Sequence, residues 1–128
     1  MLGPIVRVLH LSPLLLLLTL LSGCDTGDQA PPAVAGGDAQ RGRVLLAQYQ
    51  CGSCHSIPGV TASRGEVGPA LDSYGRRSYI AGRIPNYPDA LVRWIVDPPA
   101  MKPGTSMPAM GVSADDARHM AAYLYAQR

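Results

Sequence analysis

Cys51-Gly52-Ser53-Cys54-His55 decides how the rest of this 128-residue chain is read. Two thiols three positions apart share one turn, and an imidazole follows the second directly. Upstream, Asp38 is placed to cap a helix along which Ala39, Gly42, Leu46 and Tyr49 recur at helical spacing. Downstream, Leu91, Trp94 and Ile95 form a second apolar stripe. Ser113 and Asp116 make an S-x-x-D start for a last helix whose buried side is Ala117, Met120, Ala121 and Leu124. His119 falls off that stripe and is expected to face solvent. The spacing predicts helices near 38–50, 88–96 and 114–126, a short turn near 72–80, and no strand alternation. The fold class is therefore all-α, with three to four helices over residues 38–128.

Such a domain has little apolar mass of its own. The chain is 47% hydrophobic, but seven leucines crowd into residues 14 to 21; it has no Phe, one Trp, six Tyr, 14 Gly and 12 Pro. A core this thin needs help from a cofactor or a staple. Beyond residue 23 there are ten basic and nine acidic side chains. No basic stripe with interleaved aromatics appears, which excludes a nucleic-acid partner on electrostatic grounds.

C-x-x-C-H is the attachment sequence of c-type haem. Each thiol can add to a vinyl group of one porphyrin, and the adjacent imidazole is then pinned beneath the iron. Three other chemistries use similar residues. Zinc wants four ligands, usually from two Cys or His pairs, and only distant His119 remains to join. A redox dithiol follows a strand in a βαβ unit, whereas here a helix precedes it. A plain disulfide is the third.

Further segments carry a resemblance to class I monohaem cytochromes c, over residues 37 to 128. Gly37-Asp38 with Gly42 resembles the family's first helix; Gly68-Pro69-Ala70-Leu71 and then Tyr74-Gly75-Arg76 resemble its G-P-x-L segment and the G-R that follows. Leu91, Trp94, Ile95, Asp97 and Pro98, then Pro103-Gly104-Thr105-Ser106-Met107, resemble its ligand-bearing helix and loop, and Ala122-Tyr123-Leu124 its final helix. The resemblance implies one covalent haem c attached at Cys51 and Cys54, with His55 as an axial ligand to iron. It further implies that the Pro69 carbonyl accepts from His55, that Arg76 faces a haem propionate, and that Trp94 walls the pocket. Arg77, Arg83, Tyr74 and Tyr87 are weaker propionate candidates. It also places Tyr123 against Gly42 where the terminal helices cross. The stretch from Ile84 to Met107 is similar to the cytochrome c domains of haem-copper oxidase subunit II.

The sixth iron ligand separates a carrier from a catalyst. Candidates are Met101, Met107, Met110, Met120 and His119. Pro103, Gly104 and Pro108 bracket Met107 in a loop able to hold a thioether in place, and the P-G-T-x-M pattern indicates the same residue. Met110 is the runner-up. With His55 and Met107 bound, the metal has no vacant position, and one-electron transfer between respiratory partners is the expected function. A cytochrome bc-type complex or dehydrogenase would be the donor, and a terminal oxidase or reductase the acceptor. A displaceable Met107 would instead make a haem-based gas sensor or a peroxidase.

Residues 1 to 23 have the layout of an export signal: Arg7, an apolar run, then small residues. Residues 14 to 21 are too few to span a bilayer, which takes roughly 20 apolar residues. Leu21-Ser22-Gly23-Cys24 resembles the bacterial lipoprotein box, which implies lipidation of Cys24 and removal of residues 1–23. That assignment also accounts for the odd cysteine. Residues 24–37 read as a flexible linker rich in Pro, Ala and Gly. The expected location is the periplasmic side of a bacterial membrane, with the inner membrane favoured by Asp25.

Overall fold

A computed structural model describes residues 34–128; residues 1–33, with the expected lipidation site Cys24, lie outside the described residues. Among the described residues there are four helices and one two-stranded hairpin, and none of the helices is long and apolar enough to cross a membrane. Helix α1 (Ala39–Gln48) begins where Asp38 leaves helical backbone. Its Oδ1 accepts from the N–H groups of Gln40 (2.8 Å) and Arg41 (3.1 Å). The bond from Arg41 does most to hold the Asp38 carboxyl below its ordinary range. After α1, Gln50 adopts a left-handed φ of 56° and turns the chain into the 3₁₀ turn Cys51–Ser53.

A second 3₁₀ turn, Tyr74–Arg76, leads into strands β1 (Tyr79–Ile80) and β2 (Ile84–Pro85). They pair antiparallel with Ile80 opposite Ile84. This hairpin was not expected from the sequence. Three residues, Ala81, Gly82 and Arg83, link the paired Ile80 and Ile84; Ala81 and Gly82 are both left-handed with φ of 49° and 82°, as the central residues of a type I′ turn must be. Helix α2 (Pro88–Val96) starts on Pro88 and buries Ala90, Leu91, Trp94 and Ile95. Helix α3 (Pro98–Met101) is one turn long, capped by Asp97, whose side chain accepts from Ala100 N at 3.2 Å. Prolines at its first positions lack only N–H groups that a helix start leaves unpaired. Helix α4 (Ala114–Ala126) is capped by Ser113, whose Oγ accepts from Asp116 N at 3.1 Å.

The terminal helices α1 and α4 make the most extensive contact, and α2 packs on α4 as well. Gly42 sets their approach: a Cβ there would lie 1.9 Å from the His119 carbonyl oxygen. Backbone therefore touches backbone at this point. The Tyr123 hydroxyl donates to the Pro58 carbonyl (2.6 Å). His119 is buried at 8% exposure, contrary to the expectation from α4 alone. Its Nδ1 accepts from the Asp38 backbone N–H at 2.9 Å. A capping box would meet that need with a Glu or Gln at the third helical position, but Arg41 stands there and α4 supplies the acceptor instead. Tyr49 donates to Asp116 Oδ2 (2.9 Å), and Arg41 lies 3.4 Å from the same carboxylate, completing the polar side of the contact. Residues 34–37 turn back on the domain, with Gly37 N donating to Val34 O (2.9 Å) and Val34 half-buried against the core.

Candidate functional site

The helices do not close on one another. They leave a cleft of about 500 Å3 whose apolar lining includes Leu46 from α1, Leu91, Trp94 and Ile95 from α2, and Met120 and Leu124 from α4. Cys51, Cys54 and His55 contribute to its wall, together with Gly68, Pro69, the hairpin turn at Ala81 and Gly82, and the loop from Lys102 to Pro108. An apolar cleft of this size beside so small a core is the expected shape of a ligand site.

Each part of the C-x-x-C-H segment is tied down by the chain that follows it. His55 N and Cys54 N donate back to Cys51 O at 3.0 and 3.3 Å, so the motif closes as a tight turn. Ser63 Oγ donates to His55 O (2.9 Å) and accepts from Ile57 N (2.6 Å), fixing the backbone after the imidazole. Gly68 N donates to Cys54 O at 2.7 Å. A Cβ at Gly68 would meet the His55 ring, 2.3 Å from Cε1, so only glycine lets the imidazole lie here. His55 Nδ1 is 2.7 Å from the Pro69 carbonyl oxygen. A carbonyl only accepts, so Nδ1 carries the proton and Nε2 keeps its lone pair for a metal.

Both thiols stand in the cleft wall, where attachment requires them. Both are free. Burial pushes the Cys51 thiol up, away from the lowered range of a reactive cysteine. Zinc finds no support either, since no group of three or more His, Cys, Asp or Glu among the described residues could hold a metal.

Of the five candidates for a further iron ligand, Met107 and Met120 reach the cleft wall. Met120 is fully buried within α4. Met107 is half-buried in an irregular loop and packs on the core. Met101 lies outside the wall, Met110 is 48% exposed, and His119 is engaged by Asp38. Trp94 lines the cleft at 8% exposure. Arg76 does not line it; its side chain is exposed, and Arg77 stands in the wall instead. Arg77 follows the 3₁₀ turn on extended backbone, three positions after buried Tyr74, whereas Arg76 lies within the turn. The Arg77 guanidinium lies 5.2 Å from the Tyr74 ring centre. It donates to the Ala70 carbonyl and, at 3.2 Å, to that of Asp72. Neither Arg83 nor Tyr87 reaches the wall. Tyr74, the remaining weaker candidate, does stand in the wall; it meets Tyr125 edge to face at 6.5 Å, and Tyr125 donates to Asn86 Oδ1 at 2.9 Å. Burial pushes both phenols up, Tyr125 to about 12.

Lys102 and Tyr79 are wall residues that sequence reasoning missed. Neither sits in a motif, and only the hairpin and the 102–108 loop bring them to the cleft. Arg77 and Lys102 are the cleft's cations, and no carboxylate lines it among the described residues.

Comparison with known proteins agrees with this geometry. The family described as Cytochrome c matches residues 39–127. Over 87 residues the chain is 36% identical to cytochrome c oxidase subunit 2 of Alkalihalophilus pseudofirmus, a match covering 67% of this chain and 25% of that protein. With cytochrome c oxidase subunit 2 of Bacillus subtilis it shares 28% identity over 89 residues, covering 68% of this chain and 25% of that protein. The chain thus spans about a quarter of the length of the curated relatives it matches.

The residues present suit the family's prosthetic group. An apolar cleft takes the macrocycle, two free thiols stand at its wall, an oriented imidazole offers Nε2, and two cations without a competing acid suit anionic propionates. Motif, cleft and relatives agree: this chain belongs to the cytochrome c family, whose members bind covalent haem c and transfer electrons.

Proposed function

We propose that the chain is a membrane-tethered one-electron carrier whose iron is closed by His55 and Met107. The observation that carries this proposal is the presence of both groups in one cleft wall, with His55 Nδ1 held by Pro69 and Nε2 left available. Haem c, when bound, supplies the one-electron ferric/ferrous couple. Cys51 and Cys54 hold it covalently, and the apolar wall keeps water from the metal. Fixed imidazole orientation limits rearrangement between oxidation states. The Met107 thioether is a weak donor that favours ferrous iron and raises the potential. Arg77 and Lys102 compensate the propionate charge, a role that passes from Arg76 to its neighbour.

Donors on this account are a cytochrome bc-type complex or a dehydrogenase, and acceptors a terminal oxidase or reductase. The relatives named as oxidase subunits support association with an oxidase, either as a docking carrier or as a subunit of the complex. The Leu21-Ser22-Gly23-Cys24 sequence supports a lipid anchor on Cys24 at the periplasmic face. Such tethering raises effective concentration near membrane partners toward the millimolar range for a short flexible link.

The test is the ferric absorption spectrum of the holoprotein beside its Met107→Ala variant. The carrier shows a low-spin spectrum with a weak far-red sulfur-to-iron band, and the variant loses that band. A high-spin wild-type spectrum with rapid carbon monoxide binding would overturn the proposal in favour of a gas sensor or peroxidase.

A further inference from the structure

The loop that carries Met107 is held in an unusual way. It runs from the end of α3 to the cap of α4, includes Pro103 and Pro108, and has left-handed glycines at 104 and 111 with φ of 81° and 71°. Its own hydrogen bonds are short-range: Lys102 N to Pro98 O (3.0 Å), Thr105 N to Lys102 O (3.1 Å) and Met107 N to Thr105 Oγ1 (3.3 Å). These bonds shape the loop without attaching it to the far wall of the cleft. One bond does attach it. Lys102 Nζ donates to the Ala81 carbonyl at 3.1 Å, across 21 residues of sequence, in a half-buried position. It is the single long-range hydrogen bond of residues 102–112 among the described residues.

The acceptor is well suited to this work. Ala81 is the first central residue of the hairpin turn, which closes through Arg83 N to Ile80 O at 3.2 Å. The carbonyl of Ala81 therefore has no partner in that ladder and is free to receive a side chain. A bond from an ammonium group to such a carbonyl is charge-assisted and stronger than a neutral one. Lys102, Ala81 and Met107 all belong to the cleft wall.

We infer that Lys102 is the positioning residue for Met107: its bond to Ala81 holds the Met-bearing loop against the hairpin and keeps the thioether on the metal. The inference rests on the proposal that Met107 is the sixth ligand. Lys102 has no contact with the iron on this account; it acts through the loop. Without its bond the loop retains Pro103, Pro108 and the buried Val112 as restraints, so the domain still folds while Met107 spends more time away from its binding position.

The test compares Lys102→Leu, which lacks a donor, with Lys102→Arg, which keeps one, in the haem-loaded protein. Carbon monoxide binding to the ferrous form reports how often the thioether leaves. Loss of a charge-assisted hydrogen bond corresponds to about tenfold or more in a local equilibrium. Lys102→Leu is accordingly expected to bind carbon monoxide about tenfold faster and to show a weakened far-red band. Lys102→Arg is expected to stay within about twofold of wild type. If Lys102→Leu gives no holoprotein, Lys102→Gln is read the same way, with an intermediate rate expected. Met107→Ala separates the two claims. Retention of the band in Met107→Ala removes Met107 as ligand and overturns this inference with it. Loss of the band in Met107→Ala, with wild-type spectrum and carbon monoxide rate in the variants lacking a charged donor, overturns the role of Lys102 alone.

Discussion

Gly42→Ala puts helix propensity and helix packing in direct opposition. In an isolated helix the change is favourable by about 1 kcal/mol. In this domain the new Cβ would sit 1.9 Å from the His119 carbonyl oxygen and 2.5 Å from its carbon. Restoring a contact of 3.4 Å, already tight, requires α1 and α4 to part by about 1.5 Å. The obstacle is backbone within a helix, so it cannot swing aside as a side chain could. Overpacking of this kind costs about 1–3 kcal/mol, and parting the helices also loosens Leu46, Met120 and Leu124, and stretches the Asp38 to His119 bond. A cost near the top of that range leaves a net destabilisation of about 2 kcal/mol after the propensity gain. For a domain of this size that lowers the unfolding midpoint by roughly 8–16 °C. Thermal unfolding of the holoprotein, followed by far-ultraviolet circular dichroism, measures it. An unchanged or raised midpoint would refute the close helix crossing.

Gly68→Ala drives a methyl group into the His55 ring and pulls Nδ1 from the Pro69 carbonyl; haem incorporation falls, and the surviving holoprotein titrates at a higher potential because its imidazole donates less strongly. An unmoved potential would contradict it. His119→Ala leaves the Asp38 amide without its acceptor, for a loss of about 1–2 kcal/mol, and hydrogen exchange at Asp38 accelerates; protection equal to wild type would count against that bond. The phenols of Tyr74 and Tyr125 are pushed up from an ordinary value of 10.0, Tyr125 to about 12. The folded state thus keeps these protons after the unfolded chain has lost them. Their contribution is complete below about pH 10 and is lost as the pH rises through the folded-state values. Denaturant unfolding at stepped alkaline pH checks this, with a shallower decline expected in Tyr125→Phe.

What could be read in the sequence was local. The attachment motif is five consecutive residues, and the helix predicted at 88–96 is Pro88–Val96, because a proline start and an apolar stripe both lie inside the segment. The last helix, expected at 114–126, is Ala114–Ala126 for similar reasons, Ser113 and Asp116 marking its start. What could not be read depends on partners far along the chain. His119 is off the stripe of its own helix yet buried, because Asp38, 81 residues away, needs an acceptor. Arg77 replaces Arg76 in the cleft wall, a choice between adjacent arginines that depends on where the 3₁₀ turn ends and the extended backbone begins. The hairpin was missed because each strand has two residues, too few for an alternating pattern to register. Lys102 belongs to no motif, and its role emerges only when the hairpin turn comes within 3.1 Å of its side chain.

The central claim is that a thioether from Met107 completes the coordination begun by His55. Electrochemical titration of the wild-type holoprotein beside Met107→His tests it most directly. A single one-electron wave is expected for each, with the wild type at the higher potential because nitrogen in place of sulfur favours ferric iron. Coincident midpoint potentials would contradict it, since they would mean that residue 107 does not bind the metal.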